Sequence, residues 1–79
     1  MMEQAKELKQ ILKSISATRW GGQQVRVRTE IRTIGHKMYE YGRAVAFVDP
    51  LTDEQKELIM KNNKYAKIYT DERGCLIKY

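Results

Sequence analysis

Ala5, Leu8, Ile11, Leu12 and Ile15 recur at three- and four-residue spacing, which predicts one apolar stripe on an α-helix over residues 2–17. Glu3 and Glu7 lie toward its start and Lys9 and Lys13 toward its end, complementing the helix dipole. Ser14, Ser16 and Thr18 weaken the helix, and Gly21-Gly22 after Trp20 is expected to end it. From Gln24 the period becomes two. Val25, Val27, Thr29 and Ile31 alternate with Arg26, Arg28, Glu30 and Arg32, the pattern of a half-buried strand.

Ile34-Gly35 supplies a turn, and a second extended run follows over residues 37–48. Pro50 stops it. Thr52 with Gln55 three residues later matches a capping box and opens a helix to about Asn62, whose apolar content is Leu58, Ile59 and Met60. Asn62-Asn63 offers a left-handed exit. Residues 64–70 and 75–79 then read as strands around Asp71-Glu72-Arg73-Gly74. The expected architecture is a single α+β domain over residues 1–79, in the order α-β-β-α-β-β. One antiparallel sheet of two hairpins would pack against two helices, with no linker, repeat or low-complexity segment. A helix followed by strands resembles the α-β-β-β-α layout of double-stranded-RNA-binding domains. The chain departs from it by lacking a third strand before the second helix and any matching motif, so no residue role follows.

A turn at Ile34-Gly35 would set Ile31 opposite Met38, Arg28 opposite Tyr41 and Arg26 opposite Arg43. Val25, Val27, Ile31, Met38, Ala44, Ala46 and Val48 would then point inward. Arg26, Arg28, Arg32, Lys37, Tyr39, Tyr41 and Arg43 would share the other face. The same register puts Glu40 inside and Val45 with Phe47 outside; a bulge at Gly42 would swap the later pair. In the second hairpin Thr70 would pair with Cys75, Ile68 with Ile77 and Ala66 with Tyr79. Ala66, Ile68, Cys75 and Ile77 would pack inward, leaving Tyr65, Lys67, Tyr69 and Lys78 outside with Leu76.

Composition narrows the class. The chain has 79 residues, 42% hydrophobic and 32% charged, with one proline, which is the make-up of a folded protein with one small core. Self-association as a homodimer is one way for so small a core to gain stability. The net charge is +5, with nine basic and five acidic residues up to Asp49 but six and five beyond it. Such a field attracts nucleic acid, anionic membrane or an acidic protein surface alike. The lone Cys75 makes no internal disulfide and fits a reducing cytoplasm, as a small core residue. The longest wholly apolar run, residues 44–48, is far short of a membrane span, and no export signal is visible, so no membrane partner is expected.

Candidate chemistry is sparse. His36 lies in a turn without a nearby nucleophile, Glu30 and Glu40 fall on opposite faces, and no metal-ligand spacing occurs. Gly21-Gly22 lacks the helix and Lys-Ser/Thr pair of a phosphate loop, and Trp20 is expected in the core. A non-catalytic protein without cofactor or metal is therefore expected. Rings stack on unpaired bases while Arg and Lys neutralise phosphates, so the Arg/Lys/Tyr faces favour single-stranded nucleic acid. Tyr is also a good strand former, and cations beside it often only solvate a sheet face. Tyr and Arg are enriched at protein interfaces too, which gives the alternative of an inhibitor or adaptor that occludes a larger partner. A small ribonuclease using His36, Arg28 and Tyr41 is the remaining reading.

Overall fold

The computed structural model describes residues 2–79, and the side chains of all of these except 2, 3, 32, 40, 41 and 42. The elements run α1 (Met2–Ser14), β1 (Val27–Ile34), β2 (Lys37–Val48), α2 (Asp53–Asn62), β3 (Lys67–Thr70) and β4 (Cys75–Lys78). This is the expected α-β-β-α-β-β order. All pairings are antiparallel, and the strands lie side by side as β1-β2-β4-β3. The two hairpins join through β2 and β4.

Leu8, Ile11 and Leu12 of the α1 stripe are buried with Ala44, Ala46 and Val48 of β2 and with Cys75 and Ile77 of β4. The alanines let the helix approach the sheet closely, and truncating Leu12 in such a core costs about 2–5 kcal/mol. Helix α1 ends earlier than its pattern suggests. The Ala17 N–H donates to the Leu12 carbonyl at 2.9 Å and the Ser16 N–H to that of Lys13 at 3.1 Å, a Schellman motif. Ser16 holds the left-handed position, φ 57°, that glycine usually fills. The stop is therefore made here, and Gly21-Gly22 serves a separate loop.

The capping box of α2 is present: Thr52 Oγ1 accepts from the Gln55 N–H at 3.2 Å and Gln55 Oε1 from the Thr52 N–H at 2.8 Å. Gln55 Nε2 also donates to the Ile15 carbonyl at 2.9 Å, tying the start of α2 to the exit of α1. Only Ile59 of α2 is buried, while Leu58 and Met60 stay exposed. The helix leaves through an extended Asn63, φ −148°, and not through a left-handed residue.

In the first hairpin Ile34 pairs with Lys37, so the turn is Gly35-His36, one residue later than expected. Gly35, φ 65°, takes the first turn position, where a positive φ is required. Every partner moves by two places. An even shift keeps each side chain on its expected face. The register then jumps: Glu30 pairs with Tyr41 but Thr29 with Ala44, so β2 carries two extra residues, Gly42 and Arg43. A single-residue bulge would have swapped the faces beyond it. Two do not, so Ala44, Ala46 and Val48 point into the core while Val45 and Phe47 are on the opposite face. Ile31 and Met38, expected inside, are exposed because the hairpin extends beyond the helices that would cover them. The second hairpin has its expected register, Thr70 with Cys75 and Ile68 with Ile77.

Candidate functional site

Both helices pack on one side of the sheet, which leaves the other side open. Two rows of side chains cross it. Arg28, Val45, Lys78 and Lys67 stand in line over β1, β2, β4 and β3, and Phe47, Leu76 and Tyr69 form the next row. Adjacent rows are about 6.6 Å apart and neighbouring strands about 4.8 Å. Lys67 and Lys78 are direct cross-strand partners. Like charges so placed repel and destabilise a sheet. Lys78 is partly offset by Glu30 at 3.7 Å, and its Nζ lies 5.9 Å from the centre of the Tyr69 ring.

Trp20 extends the ring row. Its ring centroid is 6.3 Å from that of Phe47 at a 45° tilt, and the side chain is 69% exposed. It belongs to this face and not, as its sequence context suggests, to the core. Arg19 and Gln23 exchange backbone hydrogen bonds of 2.9 and 2.7 Å, closing a loop in which Trp20, Gly21 and Gly22 all have positive φ. Successive amides in that conformation form a concavity that attracts an anion. Asp49 supplies it. Its carboxylate accepts from the Thr18 hydroxyl at 2.7 Å and from the Gly21 N–H at 3.3 Å. The Thr18 hydroxyl first, and then the loop amides, hold the Asp49 carboxyl below the usual carboxylate range against some desolvation. The loop amides are thus occupied by the protein's own carboxylate, and Trp20 is held against Phe47.

The expected residues divide between three places. Arg28, Lys67, Tyr69 and Lys78 form the open face, and Arg26 joins Arg28, Trp20, Phe47 and Leu76 around one of its hollows. Tyr39 and Lys37 occupy the same face by register, while the side chains of Arg32 and Tyr41 lie outside the described residues. Tyr39 pairs with Arg32, four β1 residues past Arg28, roughly 13 Å away at 3.3 Å per residue. Tyr39 and Lys37 therefore sit along the projecting hairpin, apart from the ring row. Arg43 leaves the face altogether. Displaced by the two-residue irregularity, it donates from Nη2 to the Tyr65 carbonyl at 2.9 Å. Tyr65 departs with it, because it precedes β3 and its ring lies 5.1 Å from Lys64 Nζ. Arg43 and Tyr65 line a separate cleft with Gln4, Asn63 and Tyr79, the last with a pKa raised by burial and then by the Glu7 carboxylate.

His36 is exposed in the turn, beyond Ile34, which is itself about 20 Å along β1 from Arg28. His36 and Arg28 are therefore not brought together, and the Tyr41 side chain lies outside the described residues. Cys75 is buried and free. Among the described residues no three His, Cys, Asp or Glu side chains gather as metal ligands, and no helix is long and apolar enough to cross a membrane. Trp20, Phe47 and Asp49 escape a sequence reading of the site. The placement of Phe47 outside was legible in the alternation, but the sense of the irregularity beside Gly42 decides it.

The chain matches no protein-family model, no curated protein and no solved structure.

Proposed function

We propose that this chain is a non-catalytic module that binds single-stranded nucleic acid on the open sheet face. Bases stack on Trp20, Phe47 and Tyr69, and phosphates lie over Arg26, Arg28, Lys67 and Lys78. The observation that carries this reading is the Lys67–Lys78 pair beside a row of accessible rings. Two cations placed opposite each other at a cost in stability are relieved by a polyanion, and a base on the rings sets its own phosphate one row away. The buried free thiol of Cys75 supports a reducing, cytoplasmic setting.

Trp20 is the single tryptophan, so its fluorescence reports directly on the site. Titration with single-stranded oligonucleotides at several salt concentrations should give affinities that fall with salt, by about 0.7 log units per log unit for each phosphate neutralised. Trp20→Ala and Tyr69→Ala should each weaken binding by about 1–3 kcal/mol, whereas Arg28→Ala should lower the salt slope by about one phosphate equivalent. Absence of binding at low salt rejects the proposal.

A second reading, an inhibitor or adaptor that occludes a protein partner, rests on the hairpin tip. Ile31, Ile34 and Met38 are 55%, 60% and 71% exposed there, a concentration of apolar surface on a projecting element. Pull-down from nuclease-treated lysate should then retain a stoichiometric protein that is lost with Ile34→Lys and Met38→Lys. Sedimentation would report self-association through the same tip.

A further inference from the structure

The cleft between the Trp20 loop and the β3–β4 turn differs in chemistry from the rest of the open face. It has a volume of about 510 Å³ and is lined by Trp20, Gly21, Phe47, Asp49, Asp71 and Arg73. Its closeness to the ring row depends on Gly74. A Cβ built there would meet the Val48 carbonyl oxygen and the Phe47 ring, so only glycine lets this turn press against the end of β2. Asp71 is fixed within the turn, since its Oδ1 accepts from the Arg73 N–H at 2.7 Å and the Gly74 N–H at 3.1 Å. Oδ2 has no hydrogen-bond partner among the described residues. Asp49, by contrast, is engaged with Thr18 and the loop amides.

An ionised carboxylate only accepts hydrogen bonds, and two carboxylates repel phosphate. This end of the face therefore suits a base edge rich in donors and not a backbone phosphate. Arg73, next to Asp71, supplies donors and no acceptor. An edge that offers an acceptor followed by two adjacent donors is matched by that pair. Guanine has it, in O6, N1–H and the N2 amino group. Uracil and thymine place carbonyl oxygens on both sides of a single N–H, and adenine and cytosine offer one donor group beside a ring-nitrogen acceptor.

We infer that this cleft is a guanine-selective base subsite, with the base stacked at Trp20 and Phe47 and its Watson–Crick edge on Asp71 and Arg73. The inference rests on the single-strand reading above and adds a base preference to it. The test uses dT oligomers of fixed length in which the central dT is replaced by dG, dA or dC, followed by Trp20 fluorescence at one low salt concentration. The dG oligomer should bind about tenfold more tightly than all-dT, the discrimination of one good bidentate contact. Asp71→Asn keeps an oxygen for the two turn amides but turns the second position into a donor. It should abolish the dG preference, so that the dG and all-dT oligomers bind the variant with equal affinity. Equal affinities for the four oligomers, or a dG preference that survives Asp71→Asn, would overturn the subsite alone. No binding to any oligomer would overturn it together with the single-strand reading.

Discussion

Thr18 and Asp49 are joined twice: the Asp49 N–H donates to the Thr18 carbonyl at 2.7 Å, and the Thr18 hydroxyl donates to Asp49 Oδ2 at 2.7 Å. The first bond fastens the segment after α1 to the end of β2. The second orients a carboxylate whose other oxygen holds the Gly21 amide. Two residues thirty-one apart in sequence thereby set the position of Trp20 over Phe47.

Acid should release that loop. The Asp49 pKa is lowered by the Thr18 hydroxyl and the loop amides, so the folded state binds its proton less readily than the unfolded chain. The contribution is fully present above the ordinary aspartate value of about 3.9 and is lost as pH falls through the lower folded value. Trp20 fluorescence should change in that acid window before far-UV circular dichroism does. Asp49→Ala should show the released spectrum already at neutral pH, and an unchanged Trp20 signal in the variant would contradict the assignment.

Ser16 is a site for stabilisation. A non-glycine residue in the left-handed region costs about 1–2 kcal/mol, and Ser16 makes no side-chain bond among the described residues that would offset this. Ser16→Gly should raise the urea midpoint by an amount equivalent to about 1 kcal/mol with an unchanged m-value. A fall in the midpoint would mean that the flexibility gained by the unfolded chain outweighs the strain removed.

Gly74→Ala should act in the opposite direction. The added methyl meets the Val48 backbone oxygen, which cannot swing aside as a side-chain end would. Overpacking of this kind costs about 1–3 kcal/mol. Thermal denaturation should show a lower Tm, and the β3–β4 turn should move away from Phe47.

Lys67→Glu should separate stability from binding. Facing Lys78, the new carboxylate replaces repulsion by attraction, a gain of about 0.2–1 kcal/mol at low salt. The same change removes a phosphate contact and adds a negative charge, so oligonucleotide affinity should drop. A variant that is both more stable and a weaker binder is the expected result from paired urea and oligonucleotide titrations. Unchanged affinity would mean that Lys67 only solvates the sheet.

The element order, the capping box at Thr52 and the register of the second hairpin were readable from sequence, because each depends on neighbours within a few positions. Alternation also placed Arg28, Lys67, Tyr69 and Lys78 on one side, since parity survives an even shift of register. The end of α1 was less legible: a Schellman stop at Ser16 uses a residue type that does not advertise a left-handed backbone.

Tertiary structure alone decided what covers what. Whether Ile31 and Met38 are core or surface depends on how far the helices reach along the first hairpin, and periodicity says nothing of that distance. The two residues inserted at Gly42-Arg43 sent Arg43 to the Tyr65 carbonyl and kept Phe47 on the open side. Trp20 joined Phe47 because a carboxylate from the far end of β2 filled the loop's amides. Local spacing determines periodicity and caps, whereas the site is made by contacts between segments that only the closed chain brings together.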